Sequence, residues 1–150
     1  MASKHPLKIF ISYASGDRVK AQELHSYLTA HGADPWLDTE NLLPGQDWKM
    51  EIAKALDETD LILLCLSKSS ITREGYVQKE MRLALDRTLE IPQGEIFLIP
   101  ARFEEVELPY SLRDYQWVDL YTENGKSKLL RSLNLRAAKV GAATVIGNIN

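Results

Sequence analysis

The feature that most constrains this chain is the alternation of short apolar runs with segments of helical period. The run LILLCLS (61–67) is apolar throughout, which is typical of a central strand in a parallel sheet covered on both faces. Other runs of strand length lie at 8–14, 33–38, 96–103 and 116–121. Between them lie helical segments with one apolar face, so the alternation predicts a doubly wound α/β domain.

Five strands with intervening helices predict a flavodoxin-like parallel sheet, whose usual strand order is 2-1-3-4-5 and whose helices cover both faces. Pro35 in the second strand suits the sheet edge that this order gives it. The chain reverses direction between strands 1 and 3, so a ligand is expected beyond the C-terminal ends of these two strands. The loops that leave them are SYASGD (12–17) and SKSS (67–70).

A longer connection, 39–48, is expected beside these loops. It contains a Pro-Gly turn signal and two leucines that belong to no obvious strand or helix. These features predict an ordered loop. Asp47 is placed to cap the helix that follows it.

Composition excludes several classes of protein. The formal charge of −3 and the pI near 5.6 make nucleic acid an unexpected partner. The one cysteine, Cys65, cannot form an internal disulfide, which fits a reducing compartment. The start of the sequence has no apolar signal core, and no run approaches the length that spans a bilayer. We therefore expect a cytoplasmic chain with no membrane partner.

The length of 150 residues is typical of a single domain. We expect an N-terminal extension at 1–6, the domain itself at 7–139, and a tail at 140–150. The tail sequence is uncharged with no clear period, so we interpret it as a linker to a partner domain.

The segment YVQKEMRLAL (76–85) predicts an amphipathic helix. At about 100° per residue, Val77, Met81 and Ala84 fall on its core face, and Glu80 falls at the border of that face. Glu80 therefore lies near the expected crevice. A glutamate on a helix is usually only solvated, so position alone does not give it a catalytic role.

Four segments in register carry a family resemblance: FISYAS (10–15), WLDTENLLPGQDW (36–48), a serine-rich turn and YVQKEMRLAL. Together they resemble a Toll/interleukin-1 receptor (TIR) domain of the bacterial kind, over about residues 7–139. LPGQDW corresponds to the mobile loop after strand 2. Tyr76 and Glu80 correspond to the aromatic residue and the catalytic glutamate of TIR domains that cleave NAD+, with tyrosine where tryptophan is common.

The resemblance implies an NAD+ glycohydrolase or cyclase that releases nicotinamide and linear or cyclic ADP-ribose. Nicotinamide is cationic in NAD+ and leaves as a neutral molecule, so it needs no acid catalyst. Glycosyl transfer stabilises the oxocarbenium-like transition state with a carboxylate and with contacts to the ribose hydroxyls, and one well-placed glutamate can supply the carboxylate. The three histidines are scattered, and no metal or cofactor is implied besides NAD+ as the substrate.

Further residues are expected at the substrate. They are Phe10, Ser12, Tyr13, Ser15, Asp38, Leu43, Trp48, Ser70 and Tyr76. Tyr76 packs against nicotinamide or ribose, or else is a half-buried core aromatic. The serines offer hydroxyl groups, although a serine after a strand is often only a helix cap. Trp48 lies over the adenine end, contacts a neighbouring subunit, or packs on its own domain.

Three functions remain open. The first is an NAD+-cleaving effector in bacterial defence, activated by self-association through TIR–TIR contacts and controlled by a fused or associated sensor domain. The second is a TIR interaction module without catalysis. The third is a flavin-binding flavodoxin, because SYASGD faintly resembles a hydroxyl-rich phosphate loop. A receiver domain is excluded, since SYAS lacks the acidic pair that would hold magnesium. Of these, we expect the NAD+-cleaving enzyme.

Overall fold

The computed structural model describes residues 4–72, 75, 77–91 and 96–145, and for Glu80 it describes the backbone alone. Within these residues the strands form one parallel sheet of order 2-1-3-4-5, which confirms the predicted fold class and the edge position of Pro35. The strands are β1 (Lys8–Ser12), β2 (Asp34–Trp36), β3 (Leu61–Leu66), β4 (Leu98–Arg102) and β5 (Val118–Asp119). Each is shorter than its apolar run, because the ends of the runs turn into the connecting loops.

Helices cover both faces of the sheet. They are α1 (Arg18–Ala30), α2 (Asp38–Asn41), α3 (Trp48–Glu58), α4 (Arg82–Thr88) and α5 (Gly125–Val140). Asp47 caps α3 as predicted, because its carboxylate accepts hydrogen bonds from the backbone N–H groups of Lys49 and Met50 at 3.1 and 3.2 Å.

The core lies on the two faces of β3, whose six residues are all buried. Alternate side chains of a strand point to opposite faces, so this one apolar run supplies both halves of the core. One face packs with α1 and α5, and includes Leu61, Leu63 and Cys65. The other face packs with α3 and α4, and includes Ile62, Leu64 and Leu66. Cys65 is fully buried in this core, and burial raises the pKa of its thiol, which disfavours the thiolate that a nucleophile requires.

The connection after β2 differs from the prediction of a loop over 39–48. Its first residues form α2, a single helical turn. Leu37 is fully buried before this turn, and its backbone N–H donates to the side-chain oxygen of Asn41 at 2.9 Å. Burial of Leu37 and this hydrogen bond stabilise a turn that the apolar pattern did not indicate.

The prediction of a continuous helix over 76–85 was wrong. Val77 pairs with Ile71 in an isolated antiparallel bridge, and the N–H of Gln78 donates to the Ser70 carbonyl at 2.8 Å. These contacts hold the chain extended, so a 3₁₀ turn begins only at Lys79 (Lys79–Met81) and leads into α4. The predicted core face is nevertheless buried at Val77, Met81 and Ala84.

Parts of both predicted terminal segments pack against the domain. Ala142 and Val145 are buried in the core, and the N–H of Ala143 donates to the carbonyl of His5 at 2.9 Å. Residues 1–3 and 146–150 lie outside the described part of the chain, and a partner domain beyond it stays a prediction. Within the described part, no helix has both the length and the apolar composition to cross a membrane.

Candidate active site

A cavity of about 450 Å³ opens where β1 and β2 end. The strand order predicts a crevice between the exits of β1 and β3. The cavity includes the exit of β1, but no residue of β3 or of 67–70 lines it. The start of α3 and the segment around α4 complete its walls. The lining residues are Phe10, Ile11, Ser12, Tyr13, Trp36, Asp38, Trp48, Ile52, Lys79, Leu83 and Ala84. Its size and its mixture of aromatic and polar side chains are typical of a small-molecule site.

Two stacked aromatic rings form part of the wall. Phe10 of β1 and Trp36 of β2 are paired in the sheet, and their ring centroids lie 5.1 Å apart with the planes 8° from parallel. Phe10 is buried and fixed by the sheet, so the pair presents a rigid, flat apolar surface to the cavity. Such a surface suits the face of a planar heteroaromatic ring.

A hydrogen bond joins two residues that line the cavity, Tyr13 and Asp38. The Tyr13 hydroxyl, just after β1, donates to Oδ1 of Asp38 at 2.5 Å. The same oxygen accepts the backbone N–H of Thr39 at 2.7 Å, which ties the carboxylate to the first turn of α2. Tyr13 therefore connects the exit of β1 to the connection that follows β2.

The Tyr13 phenol gives a test of this contact by pH. Burial, together with the Asp38 carboxylate, raises the pKa of Tyr13 from 10.0 to about 12. Because the folded-state pKa lies above the unfolded value, stability from this group is complete below pH 10 and is lost as pH rises towards 12. We expect ultraviolet titration to show a phenol that ionises near pH 12. Tyr13→Phe should remove this step, and an unchanged titration curve would contradict the assignment.

A second set of hydrogen bonds links the exits of β1 and β3 at the switch point. The buried carboxylate of Asp17 accepts the hydroxyl of the fully buried Ser67. Ser67 begins a 3₁₀ turn (Lys68–Ser70), in which its oxygen accepts the N–H of Ser69 at 3.2 Å. The carbonyl of Ser70 then accepts the N–H of Gln78. Through these bonds Asp17 helps to fix the chain that leads to Lys79–Met81.

We expect Ser67→Ala to lower the free energy of unfolding by about 1–3 kcal/mol, since it leaves a buried carboxylate without this donor. Urea denaturation measures the change. Ser69→Ala is the matched control: its side chain is exposed two residues further on, and we expect a change within about 0.5 kcal/mol. Equal effects of the two substitutions would show that the hydrogen bond between Ser67 and Asp17 adds nothing measurable to the free energy of unfolding.

The structure brings together five of the expected site residues and separates others. Phe10, Ser12, Tyr13, Asp38 and Trp48 line the cavity. The structure also describes three other expected site residues, Ser15, Leu43 and Ser70, and these do not line the cavity.

Ser70 is instead part of a helix cap. Its hydroxyl oxygen accepts the N–H of Ser67 at 2.8 Å and its hydroxyl donates to the Ser67 carbonyl at 2.9 Å, all within the buried interior. Ser70 therefore acts as a cap of the 3₁₀ turn. Its geometry gives no support to a role in substrate binding. Leu43 is 65% exposed on the connection after β2.

Two further residues, Tyr76 and Glu80, were expected to contact the reacting part of the substrate. Tyr76 lies outside the described residues, and so does the side chain of Glu80. The backbone of Glu80 is described, in the turn Lys79–Met81. Three cavity-lining residues flank it in the sequence: Lys79 directly before it, and Leu83 and Ala84 three and four residues after it.

Several lining residues were not predicted from the sequence. They are Ile11, Trp36, Ile52, Lys79, Leu83 and Ala84. Trp36 could have been predicted, because an aromatic residue in the second strand lies beside a neighbour on the first strand. Lys79 could also have been predicted, because it directly precedes the candidate catalytic glutamate. Among the residues that the structure describes, no three His, Cys, Asp or Glu side chains are grouped to hold a metal ion.

Comparison with known proteins identifies the family. A family model described as TIR domain matches residues 9–133. The uncharacterized protein y4cD of Sinorhizobium fredii (strain NBRC 101917 / NGR234) is 29% identical over 113 residues, which cover 75% of this chain and 18% of that protein. This chain therefore corresponds to a minor part of that relative's length.

Solved structures show the same fold. The TIR domain of the Toll-related receptor TRR-2 from Hydra magnipapillata has a TM-score of 0.68 at 18% identity, with 83% of this chain and 96% of that chain covered. A metazoan TIR-STING receptor from C. gigas, in complex with 2′,3′-cGAMP, has a TM-score of 0.67 at 19% identity, with 89% of this chain and 41% of that chain covered. Because the family model spans most of the sequence, and the sheet order and helices agree with it, this chain belongs to the TIR domain family.

Proposed function

We propose that this chain cleaves NAD+ between nicotinamide and ribose, with Glu80 as the catalytic carboxylate. The observation that supports this most is the cavity at the exit of β1 in a TIR domain, with its aromatic wall and with three lining residues that flank Glu80 in the sequence. The stacked pair of Phe10 and Trp36 suits the nicotinamide or adenine ring. The polar groups of Ser12 and Asp38 suit the ribose hydroxyls.

The chemistry requires little of the protein. The bond between ribose C1′ and the pyridine nitrogen breaks, and its electron pair neutralises the pyridinium as nicotinamide departs. Positive charge then develops on the ribose ring, where a carboxylate from Glu80 stabilises it. Water attacks C1′ and loses a proton to give ADP-ribose, or an adenine nitrogen attacks to give the cyclic product. Both outcomes use the same carboxylate and the same cavity.

We propose further that self-association activates the domain. Leu43, Trp48 and Met50 are exposed by 65%, 56% and 66% on the connection after β2 and the start of α3. Large apolar side chains grouped at one surface are typical of interaction sites. A second copy that covers this surface would also cover the mouth of the cavity at Trp48, which would exclude water from the reacting bond.

A fused or associated sensor domain would control this assembly in a defence response in the cytoplasm. The relatives support this arrangement, because the matched segment is only 18% of y4cD and 41% of the C. gigas receptor chain. In both proteins the TIR-like part belongs to a longer chain. The C. gigas receptor was solved with a cyclic dinucleotide, and we propose a signal of comparable kind, delivered by a separate domain, for this chain.

Incubation with NAD+ tests the proposal. The domain is fused to a sequence that forms a defined oligomer, and free nicotinamide is followed by chromatography, beside the same domain as a monomer. We expect nicotinamide release that is faster in the oligomer. If neither form releases nicotinamide, the proposed function is wrong, and a TIR interaction module without catalysis accounts for the fold.

A further inference from the structure

Lys79 is the one basic side chain among the eleven residues that line the cavity. The other described polar groups there are hydroxyls, two indoles and the carboxylate of Asp38. Lys79 is exposed at the beginning of the turn Lys79–Met81. Over the described side chains, no ion pair involves Lys79. None of the described carboxylates therefore competes with a ligand for its ammonium group.

The surroundings restrict the kind of ligand. A flat aromatic wall and a nearby cation together suit a molecule that joins a planar ring to an anionic group. A lysine binds phosphate as a compact point charge, without the fixed geometry that arginine requires. A dinucleotide has both parts, since a diphosphate joins its two nucleosides.

The position of Lys79 beside Glu80 also fits the covalent structure of such a ligand. The diphosphate is attached to C5′ of the same ribose that carries nicotinamide at C1′. A group that binds the diphosphate and a group that faces C1′ must therefore be close neighbours. Lys79 and Glu80 are consecutive, with Cα atoms about 3.8 Å apart, so their side chains start close together, although they leave the turn in different directions.

We propose that Lys79 binds the diphosphate of the dinucleotide and so makes the site selective for substrates that carry phosphate over nicotinamide riboside, which carries none. This inference rests on the proposed NAD+ cleavage for its kinetic consequence. Its binding consequence, a preference of the cavity for ADP over adenosine, does not depend on any cleavage.

The kinetic test compares Lys79→Ala with a matched control, Lys54→Ala. Lys54 carries the same charge and is exposed on α3, but it does not line the cavity. We expect Lys79→Ala to raise KM for NAD+ about tenfold, the effect of losing one charge-assisted contact at a partly exposed site. KM for nicotinamide riboside should not change, and Lys79→Arg should restore most of the loss. Lys54→Ala should leave KM for both substrates unchanged.

The binding test uses tryptophan fluorescence, because Trp36 and Trp48 line the cavity. Titration of the Glu80→Gln variant with ADP should quench this emission, and adding Lys79→Ala should weaken ADP binding about tenfold while adenosine binding is unchanged. Equal effects on ADP and adenosine, or no effect on either, would overturn the role of Lys79. A wild-type protein that binds ADP through Lys79 yet releases no nicotinamide would refute NAD+ cleavage and leave the phosphate contact standing.

Discussion

Glu80→Gln is expected to lower the rate of nicotinamide release by the assembled domain on the order of 10²–10³-fold, the usual effect of removing one preorganised group that stabilises transition-state charge. Glutamine keeps the size of the side chain and its carbonyl oxygen, so packing should change little. It removes the negative charge that faces the developing ribose cation. Binding of NAD+ should survive, because the ring and phosphate contacts that we propose belong to other residues. Chromatography of free nicotinamide, with initial rates at saturating NAD+, measures the change.

Asp86→Asn is the matched control for this substitution. Asp86 is exposed on α4, does not line the cavity, and undergoes the same change from carboxylate to amide. Its rate should remain within about twofold of the wild-type rate, since surface charges away from a site act weakly through water. Both variants should keep the wild-type circular dichroism and oligomeric state. A Glu80→Gln variant that keeps its full rate would remove Glu80 from the mechanism.

Gly125→Ala should lower the free energy of unfolding by about 3 kcal/mol, the upper part of the range for overpacked sites. Gly125 is the first residue of α5, and it packs directly against β5. A Cβ atom added there would lie 1.9 Å from the carbonyl oxygen of Asp119 and 2.7 Å from its carbonyl carbon. Both are backbone atoms, so no side-chain rotation relieves the clash.

Strand β5 cannot easily move away from the added methyl group. The Asp119 carboxylate accepts two hydrogen bonds from Arg102 on β4, at 2.5 Å from Nε and 2.9 Å from Nη2, and this pairing lowers the pKa of Asp119. Urea denaturation measures the loss of stability. Lys128→Ala, an exposed position in the first turn of the same helix, should change it by less than about 0.5 kcal/mol. A Gly125→Ala protein that unfolds at the wild-type urea concentration would show that α5 and β5 are less closely fixed than the contacts indicate.

The fold could be predicted from the sequence because its main determinant is local and repeated. The run Leu61–Leu66 has no polar residue, so it must be covered on both faces, and alternation with helical segments then indicates a parallel sheet. Asp47 and Pro35 added signals at single positions, and both were confirmed. These features need no knowledge of which distant residues meet.

The details that were missed depend on such distant contacts. The helix over 76–85 was expected from its apolar period, but the hydrogen bond from Gln78 to the Ser70 carbonyl replaces its first turn with extended chain. Ser70 looks available in the sequence, yet the buried cap with Ser67 engages its hydroxyl. Trp36 joins the site only because β2 pairs with β1 and places it on Phe10. Local periodicity cannot reveal contacts that tertiary structure creates.

The most direct test of NAD+ cleavage at this cavity is a crystal structure of the Glu80→Gln variant with NAD+ bound. We predict that one ring of the dinucleotide packs on the Phe10 and Trp36 pair and that Lys79 contacts the diphosphate. We also predict that C1′ of the nicotinamide ribose lies within about 4 Å of the residue 80 side chain, a van der Waals contact. NAD+ bound on another surface, or a residue 80 side chain turned away from the ribose in both monomer and oligomer, would contradict the proposed mechanism.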